Sequence, residues 1–258
     1  MSIDKKIIEC ELQYTKCFSE FVENGNIVRF HDNQLMDMYY HNYTYVYNSN
    51  EGKSLKQIIE KEIGLRIFEK SNYCNILLDD VVSEPFWISD KYKAEISTKG
   101  FYSLDISCVD KLFMISGCEI KRVVSQAMID DILFCNLEND EEALGKDFCT
   151  RRCYRRGQVY LSDKGVNSYV CYHDGNIIGN CDLFIYNDVA KIEDFSVLDK
   201  YQRKGYGTTI LKVLIDIALK AGCKTIYLNT YEDETAKEMY MKNGFYKIGE
   251  SCDLLFRF

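Results

Sequence analysis

Two hydrophobic periods organise the second half of the chain. Residues 168–173 and 177–186 are strand-like runs on either side of His173-Asp174-Gly175-Asn176, a strong hairpin turn signal. Residues 189–197 predict another strand. Residues 208–221 carry a strongly apolar helical pattern, closed by Gly222 in a C-cap position. Residues 225–229 predict a strand, 235–242 a short helix stopped by Asn243-Gly244, and 245–248 and 254–258 two closing strands. Upstream, 121–124 predicts a short strand, and 127–136 and 145–156 predict helices. From residue 168 the order is hairpin, strand, glycine-containing loop, helix, strand, helix, strand.

The first half is less legible. Residues 1–20 read as a helix or arm. Asn24-Gly25-Asn26 marks a turn before a strand at 27–30, and 34–40 suits a helical turn. Tyr43, Tyr45 and Tyr47 alternate with Thr44 and Val46, a strand whose aromatic face is read as core. Residues 48–52 read as a loop. Ser54 and Gln57 form a capping-box pattern ahead of Leu55, Ile58, Ile59, Ile63 and Ile67 at helical spacing. Strands are predicted at 73–78, 101–106 and 112–115. Residues 83–87 hold the single Pro and the single Trp and read as a loop or edge. This half is α/β, with no motif that announces a chemistry and no sequence repeat of the second.

Composition narrows the classes. Of 258 residues, 47% are apolar and 28% charged, so both halves can bury a core and a largely disordered chain is excluded. The 32 basic and 40 acidic residues give a net charge of -8, without the basic footprint of a nucleic-acid binder. Steering of a cationic partner is permitted. No apolar run reaches the ~18 residues of a membrane span, and the N-terminus lacks the apolar core of a secretory signal. A cytoplasmic protein without membrane or nucleic-acid partners is expected. Twelve cysteines are scattered without a CxxC pair, and Cys149 and Cys153 lack a partner pair at zinc-site distance. They read as reduced core thiols, with no metal site. Arg151, Arg152, Arg155 and Arg156 read as a solvated helix face. His173, at a hairpin tip, is expected to be exposed.

The chemistry concentrates in Gln202-Arg203-Lys204-Gly205-Tyr206-Gly207, between a strand and an apolar helix. A helix start offers unpaired N–H groups and a positive dipole end, and glycine lets an anion approach the backbone. Arg203 and Lys204 add charge. This describes a phosphate cradle that is neither a Walker loop nor a dinucleotide fingerprint. The run resembles the Q/R-x-x-G-x-G/A loop of the GNAT superfamily of acyl-CoA-dependent N-acyltransferases. Ile192-Glu193-Asp194-Phe195-Ser196-Val197 before it resembles that family's fourth strand. Ala236, Tyr240, Lys242, Gly244 and Phe245 after it resemble the family's A-x-x-x-Y-x-K-x-G-F element. The resemblance covers about 115–258.

The resemblance implies that acetyl-CoA lies between splayed fourth and fifth strands. The backbone of Phe195, Ser196 and Val197 would meet its pantetheine arm, and the Val197 region would polarise the thioester carbonyl. Gln202, Arg203, Lys204, Gly205, Tyr206, Gly207 and Thr208 would hold the pyrophosphate. Asn229, at the end of the fifth strand, is a further contact candidate. Tyr240 matches the family's general acid. Glu193 is in register with a carboxylate many members carry and is the candidate base, though the residues alone favour a solvated or helix-facing carboxylate. Strand alternation places Glu193 and Asp194 on opposite faces. Two departures stand out: Asp233, a candidate helix cap, where the family often has Asn, and Asp199 in place of the usual Pro.

The expected architecture is therefore α/β. Residues 112–258 would form a GNAT-like domain with a mixed, mostly antiparallel central sheet and flanking helices. Residues 1–111 would form a smaller α/β domain, by element order a degenerate half of the same kind. The expected reaction is direct acetyl transfer in a ternary complex to a primary amine on a small molecule or peptide. The alternative is a non-catalytic acyl-CoA-binding or sensing module.

Overall fold

The computed structural model describes residues 3–47, 52–81 and 91–258. The loop expected at 48–52 and the segment 83–87 lie largely or wholly outside the described residues, as does the side chain of the expected cap Ser54. Asp4 caps α1 (Lys5–Lys16), accepting from the Lys6 amide at 2.9 Å. A hairpin of β1 (Glu20–Asn24) and β2 (Ile27–His31) follows, then β3 (Thr44–Val46), α2 (Gly52–Phe68), β4 (Tyr73–Leu78) and β5 (Ala94–Leu104). The second half comprises β6 (Cys118–Arg122), α3 (Gln126–Leu144), α4 (Lys146–Tyr160), β7 (Val166–His173), β8 (Asn176–Tyr186), β9 (Val189–Val197), α5 (Tyr206–Lys220), β10 (Thr225–Tyr231), α6 (Ala236–Lys242) and β11 (Phe245–Arg257).

These strands form one sheet in the order β1-β2-β3-β4-β11-β5-β10-β9-β8-β7-β6. Among the described strands, β3–β4 and β9–β10 are parallel pairs and the other neighbours antiparallel. The run α1-β1-β2-β3-α2-β4-β5 is repeated as α4-β7-β8-β9-α5-β10-β11, with α6 inserted before the last strand. In each run a helix crosses between the two parallel strands, as parallel neighbours require. The final strands are exchanged. β11 pairs with β4 of the first half, β5 pairs with β10 of the second, and the two pair with each other.

Side-chain alternation sorts the helices onto two faces. Tyr43, Tyr45, Phe101, Phe184, Val189 and Tyr227 meet α1, α3 and α4 on one face. Ile192, Ile226 and Leu228 meet α5 and α6 on the other, where α2 covers Cys74, Ile76, Leu78, Leu254 and Phe256. The twelve cysteines, all among the described residues, are thiols rather than disulfides, and all but Cys108 and Cys118 are buried. Among the described residues, no helix is long and apolar enough to cross a membrane.

Several elements differ from the sequence expectation. Residues 112–115 are not a strand: Leu112 is buried while Phe113 and Met114 face outward, which breaks the alternation a ladder needs. The strand expected at 121–124 is β6, at Cys118–Arg122. The two closing strands are one, β11, interrupted by a register shift between Lys247 and Gly249. The helical turn expected at 34–40 is confined to a 3-10 turn at Tyr39–His41. Asp233 does not cap α6, whose N-cap is Thr235.

Candidate active site

The site begins where β9 and β10 part. They pair only from Thr225↔Val189 to Tyr227↔Lys191. Beyond that point β9 runs on to Val197 against β8, and β10 runs on to Tyr231 against β5. Their facing edges at 192–197 and 228–231 are therefore open to each other, which leaves main-chain donors and acceptors for an extended ligand. Gly179 makes the outer wall possible. A Cβ there would lie 2.0 Å from the Ser196 carbonyl oxygen, so β8 approaches β9 more closely than any other residue allows. In the first half, the matching pair β3–β4 stays in register to Val46↔Leu78, the last residue of each strand. That half repeats the topology without the gap.

The gap leads to the cradle. Leu198 donates to the Ile178 carbonyl at 2.9 Å, and the Gln202 side chain donates to the Val197 carbonyl at 3.0 Å and to Asp199 at 2.8 Å. The chain then turns through Arg203 (φ +57°) and Gly205 (φ +91°) into α5. The first helical bond runs from the Thr209 N–H to the Gly205 carbonyl, 3.1 Å. The amides of residues 203–208 precede it at the positive end of the helix dipole. Arg203 and Lys204 are exposed beside them. Tyr206 faces inward: its hydroxyl meets His173 Nδ1 at 2.7 Å, so His173 is half-buried rather than exposed as expected. Thr208 Oγ1 donates to Asn243 Oδ1 at 2.9 Å, tying α5 to the end of α6.

Tyr240 stands on the α5/α6 face. Its ring meets Phe195 edge-on at 6.1 Å and Phe245 at 6.2 Å. It is buried, and burial, reinforced by Cys181 and Glu193, pushes its phenol well above the usual tyrosine range. The group therefore keeps its proton at neutral and moderately alkaline pH. The would-be Cβ of Gly207 lies 3.6 Å from the Phe195 ring, so α5, Phe195 and Tyr240 form one continuous wall.

Glu193 lies on the opposite, α1/α3/α4 face. Its carboxylate is 2.8 Å from the buried Lys191 ammonium, which is also 2.7 Å from Glu11. Burial works against the Lys191 charge, but Glu11 and Glu193 outweigh it and hold its pKa above the usual lysine value. Glu11 further accepts from the Tyr227 hydroxyl at 2.8 Å and from Asn229 Nδ2 at 3.1 Å. The Asn229 side chain is thus committed to this face. Glu11 comes from α1, about 180 positions away in sequence. A signal for it existed: it sits in the stripe Ile7–Glu11–Thr15, at i, i+4 spacing, and both neighbours are buried.

Asp194 does not face away from Glu193 as strand alternation predicts. It adopts φ +51° at a register shift between Asn180↔Ser196 and Asp182↔Glu193. That bulge turns it to the same face, 3.7 Å from Arg156. Asn180 Nδ2 donates to the Asp194 carbonyl at 3.1 Å and fixes the bulge. Beneath it lies a buried network. Arg156 pairs with Asp182 at 2.7 Å and donates to the Tyr14 and Tyr160 hydroxyls, and Tyr160 donates to Asp182 at 2.8 Å. Burial pushes the Asp182 carboxyl up to about 6 against the pull of Arg156. The arginine cluster is therefore solvated only at Arg151; Arg152 and Arg155 are half-buried and Arg156 is buried. Arg151 pairs with Asp37, Arg155 with Asp32, Arg152 with Asp140, and Arg156 reaches the core. The cause is that α4 packs against both halves, which supply those carboxylates.

Ser196 accepts from Asn139 Nδ2 of α3 at 2.5 Å. Beside it is an open polar depression of about 360 Å³, bounded by Asp140, Asp194, Asp199, Gln202 and residues 195–197. Neither Lys nor Arg is among its described lining residues.

A parallel strand pair that splays apart ahead of a glycine turn into a helix is the arrangement of a GNAT-like fold. Comparisons with known proteins agree. Residues 127–245 match the Acetyltransferase (GNAT) family. The chain is 33% identical over 113 residues to the uncharacterized N-acetyltransferase CgeE of Bacillus subtilis (strain 168), a stretch covering 42% of this chain and 43% of that protein. Among solved structures, a functionally unknown conserved protein from Staphylococcus epidermidis ATCC 12228 superposes with a TM-score of 0.77 at 17% identity, over 93% of this chain and 94% of its own. A GCN5-related N-acetyltransferase from Kribbella flavida gives 0.70 at 14% identity, over 99% and 96%. The C-terminal part of the chain resembles the GNAT superfamily, and the fold of the whole chain is GNAT-like.

Proposed function

We propose that the protein is an acyl-CoA-dependent N-acetyltransferase that passes an acetyl group from acetyl-CoA to a primary amine. The observation that carries this is the β9–β10 gap, continuous with the amides of residues 203–208. The open edges suit pantetheine amides and the helix start suits the pyrophosphate. In this reading the amine nitrogen attacks the thioester carbonyl. The N–C bond forms, the C–S bond breaks, and no covalent enzyme intermediate is needed. The backbone N–H near Val197 faces the carbonyl oxygen as charge develops. Tyr240 gives its proton to the departing thiolate. Glu193, on the other side of the gap, takes the proton from the amine, with Lys191 beside it.

The acceptor we favour is cationic, because the depression beside Ser196 is edged by Asp199 together with Asp140 and Asp194, whose arginine partners, Arg152 and Arg156, lie outside its lining. A small-molecule amine and a peptide amine both meet that description. Residues 1–111, taken as a unit, complete the acceptor side through Glu11. The test is thiol release from acetyl-CoA in the presence of a panel of polyamines, amino acids, amino sugars and short peptides. Release that depends on one class of amine is expected. Tight acetyl-CoA binding with no release across the panel would contradict catalysis and favour a binding-only protein.

A further inference from the structure

The segment joining the two halves runs past the cradle and is pinned on both sides. The Asp105 amide donates to the Gly244 carbonyl at 2.9 Å, behind α6. The Ile115 amide donates to the buried Thr209 Oγ1 at 3.0 Å, in the first turn of α5. Leu112 and Ile115 pack into the core below α5. Between them Phe113 and Met114 are turned outward, with Phe113 56% exposed. The Phe113 ring nevertheless lies against the cradle: a Cβ on Gly205 would be 2.9 Å from its carbons. An exposed aromatic face is thus held at the mouth of an anion site, next to Arg203 and Lys204.

We propose that Phe113 is the platform on which the adenine of the acyl-CoA donor stacks. This rests on the reading that the amides of residues 203–208 take the pyrophosphate. A nucleotide whose diphosphate sits there has its purine within reach of the loop's rim, and a purine presents a flat face to an aromatic ring. Tyr201, the other aromatic of that loop, is already engaged by the Tyr206 ring and by the Lys200 and Lys204 ammonium groups, whereas the Phe113 ring is 56% exposed. The inter-half segment would thereby contribute to donor binding, although it lies outside every motif the sequence offers.

The test compares two ligands by calorimetry: CoA, and 4′-phosphopantetheine, which keeps the pantetheine arm and one phosphate but lacks the 3′-phosphoadenosine 5′-phosphate unit that carries the adenine. With stacking, Phe113→Ala weakens CoA about tenfold, on the scale of one base–aromatic stack, and leaves 4′-phosphopantetheine unchanged. Phe113→Trp restores CoA affinity. Equal weakening of both ligands would make Phe113 a structural support of the loop and overturn the proposal. So would normal CoA binding by Phe113→Ala. If the wild-type protein bound no CoA, the cradle reading itself would fall, and this proposal with it.

Discussion

Replacing Tyr240 with Phe is expected to lower kcat about 100-fold or more while acetyl-CoA affinity stays within about twofold. Loss of a general acid removes typically 10²–10⁴ in rate, and about 100-fold is the low end of that range. The substitution keeps the ring that packs on Phe195 and Phe245, so the wall of the donor site remains. Single-turnover rates with the acceptor found by the thiol-release panel, set beside calorimetric affinity, separate the two effects. In the wild-type protein the raised phenol predicts no alkaline loss of rate from Tyr240 until well above pH 10, the ordinary tyrosine value. An unchanged kcat in Tyr240→Phe would mean that the thiolate leaves unprotonated or takes its proton from water.

Asp182→Ala is expected to destabilise the fold by about 3–5 kcal/mol, since it leaves the buried Arg156 charge without its nearest counter-ion. Urea unfolding at pH 7 measures this. Asp194, 3.7 Å from Arg156, would then carry the pairing alone, and the bulge that places it would be pulled out of register. A pH signature accompanies the loss. The folded value of about 6 lies above the ordinary 3.8, so the folded protein holds a proton that the unfolded chain releases. That contribution is present in full below about pH 4 and is lost as the pH rises through about 6. Wild-type stability should carry this downward term across the window, and Asp182→Ala should lack it. A variant as stable as wild type, with the same pH profile, would contradict the network's role.

Much of the second half was legible in sequence because its signals are local. The hairpin turn at His173–Asn176, the strand ending at Val197 and the turn at Gly205 each depend on neighbouring residues alone. What escaped depends on partners distant in sequence. Periodicity predicts strands at 245–248 and 254–258, but not that they are one strand inserted between β4 and β5. Glu11 lies in the segment 1–20 that reads only as a helix or arm, and its partners Lys191 and Asn229 are some 180 and 218 positions away. The arginines of α4 read as solvated because their carboxylates are remote in sequence: Asp37 and Asp32 of the first half meet Arg151 and Arg155, and Asp140 and Asp182 of neighbouring second-half elements meet Arg152 and Arg156. Asp194 was misplaced because strict alternation takes every residue to be extended, and one positive φ reverses the face. The GNAT-like pattern could be placed on residues 192–245, whereas the face that carries Glu11, Lys191 and Glu193 is built largely from long-range contacts that no motif records.

The central claim is that residues 203–208 and the β9–β10 gap bind an acyl-CoA. Gly205 is a poor residue to substitute as a test, because its positive φ and the Phe113 ring make any side chain disruptive. Arg203 and Lys204 are exposed and can be reversed without filling the turn. The measurement is calorimetric titration of acetyl-CoA into the wild-type protein and into Arg203→Glu/Lys204→Glu, with unfolding curves to confirm that both are folded. Micromolar binding by the wild type, weakened at least about tenfold in the variant by repulsion at the helix start, is the predicted result. No binding by the wild type, or equal binding by the folded variant, would contradict the account.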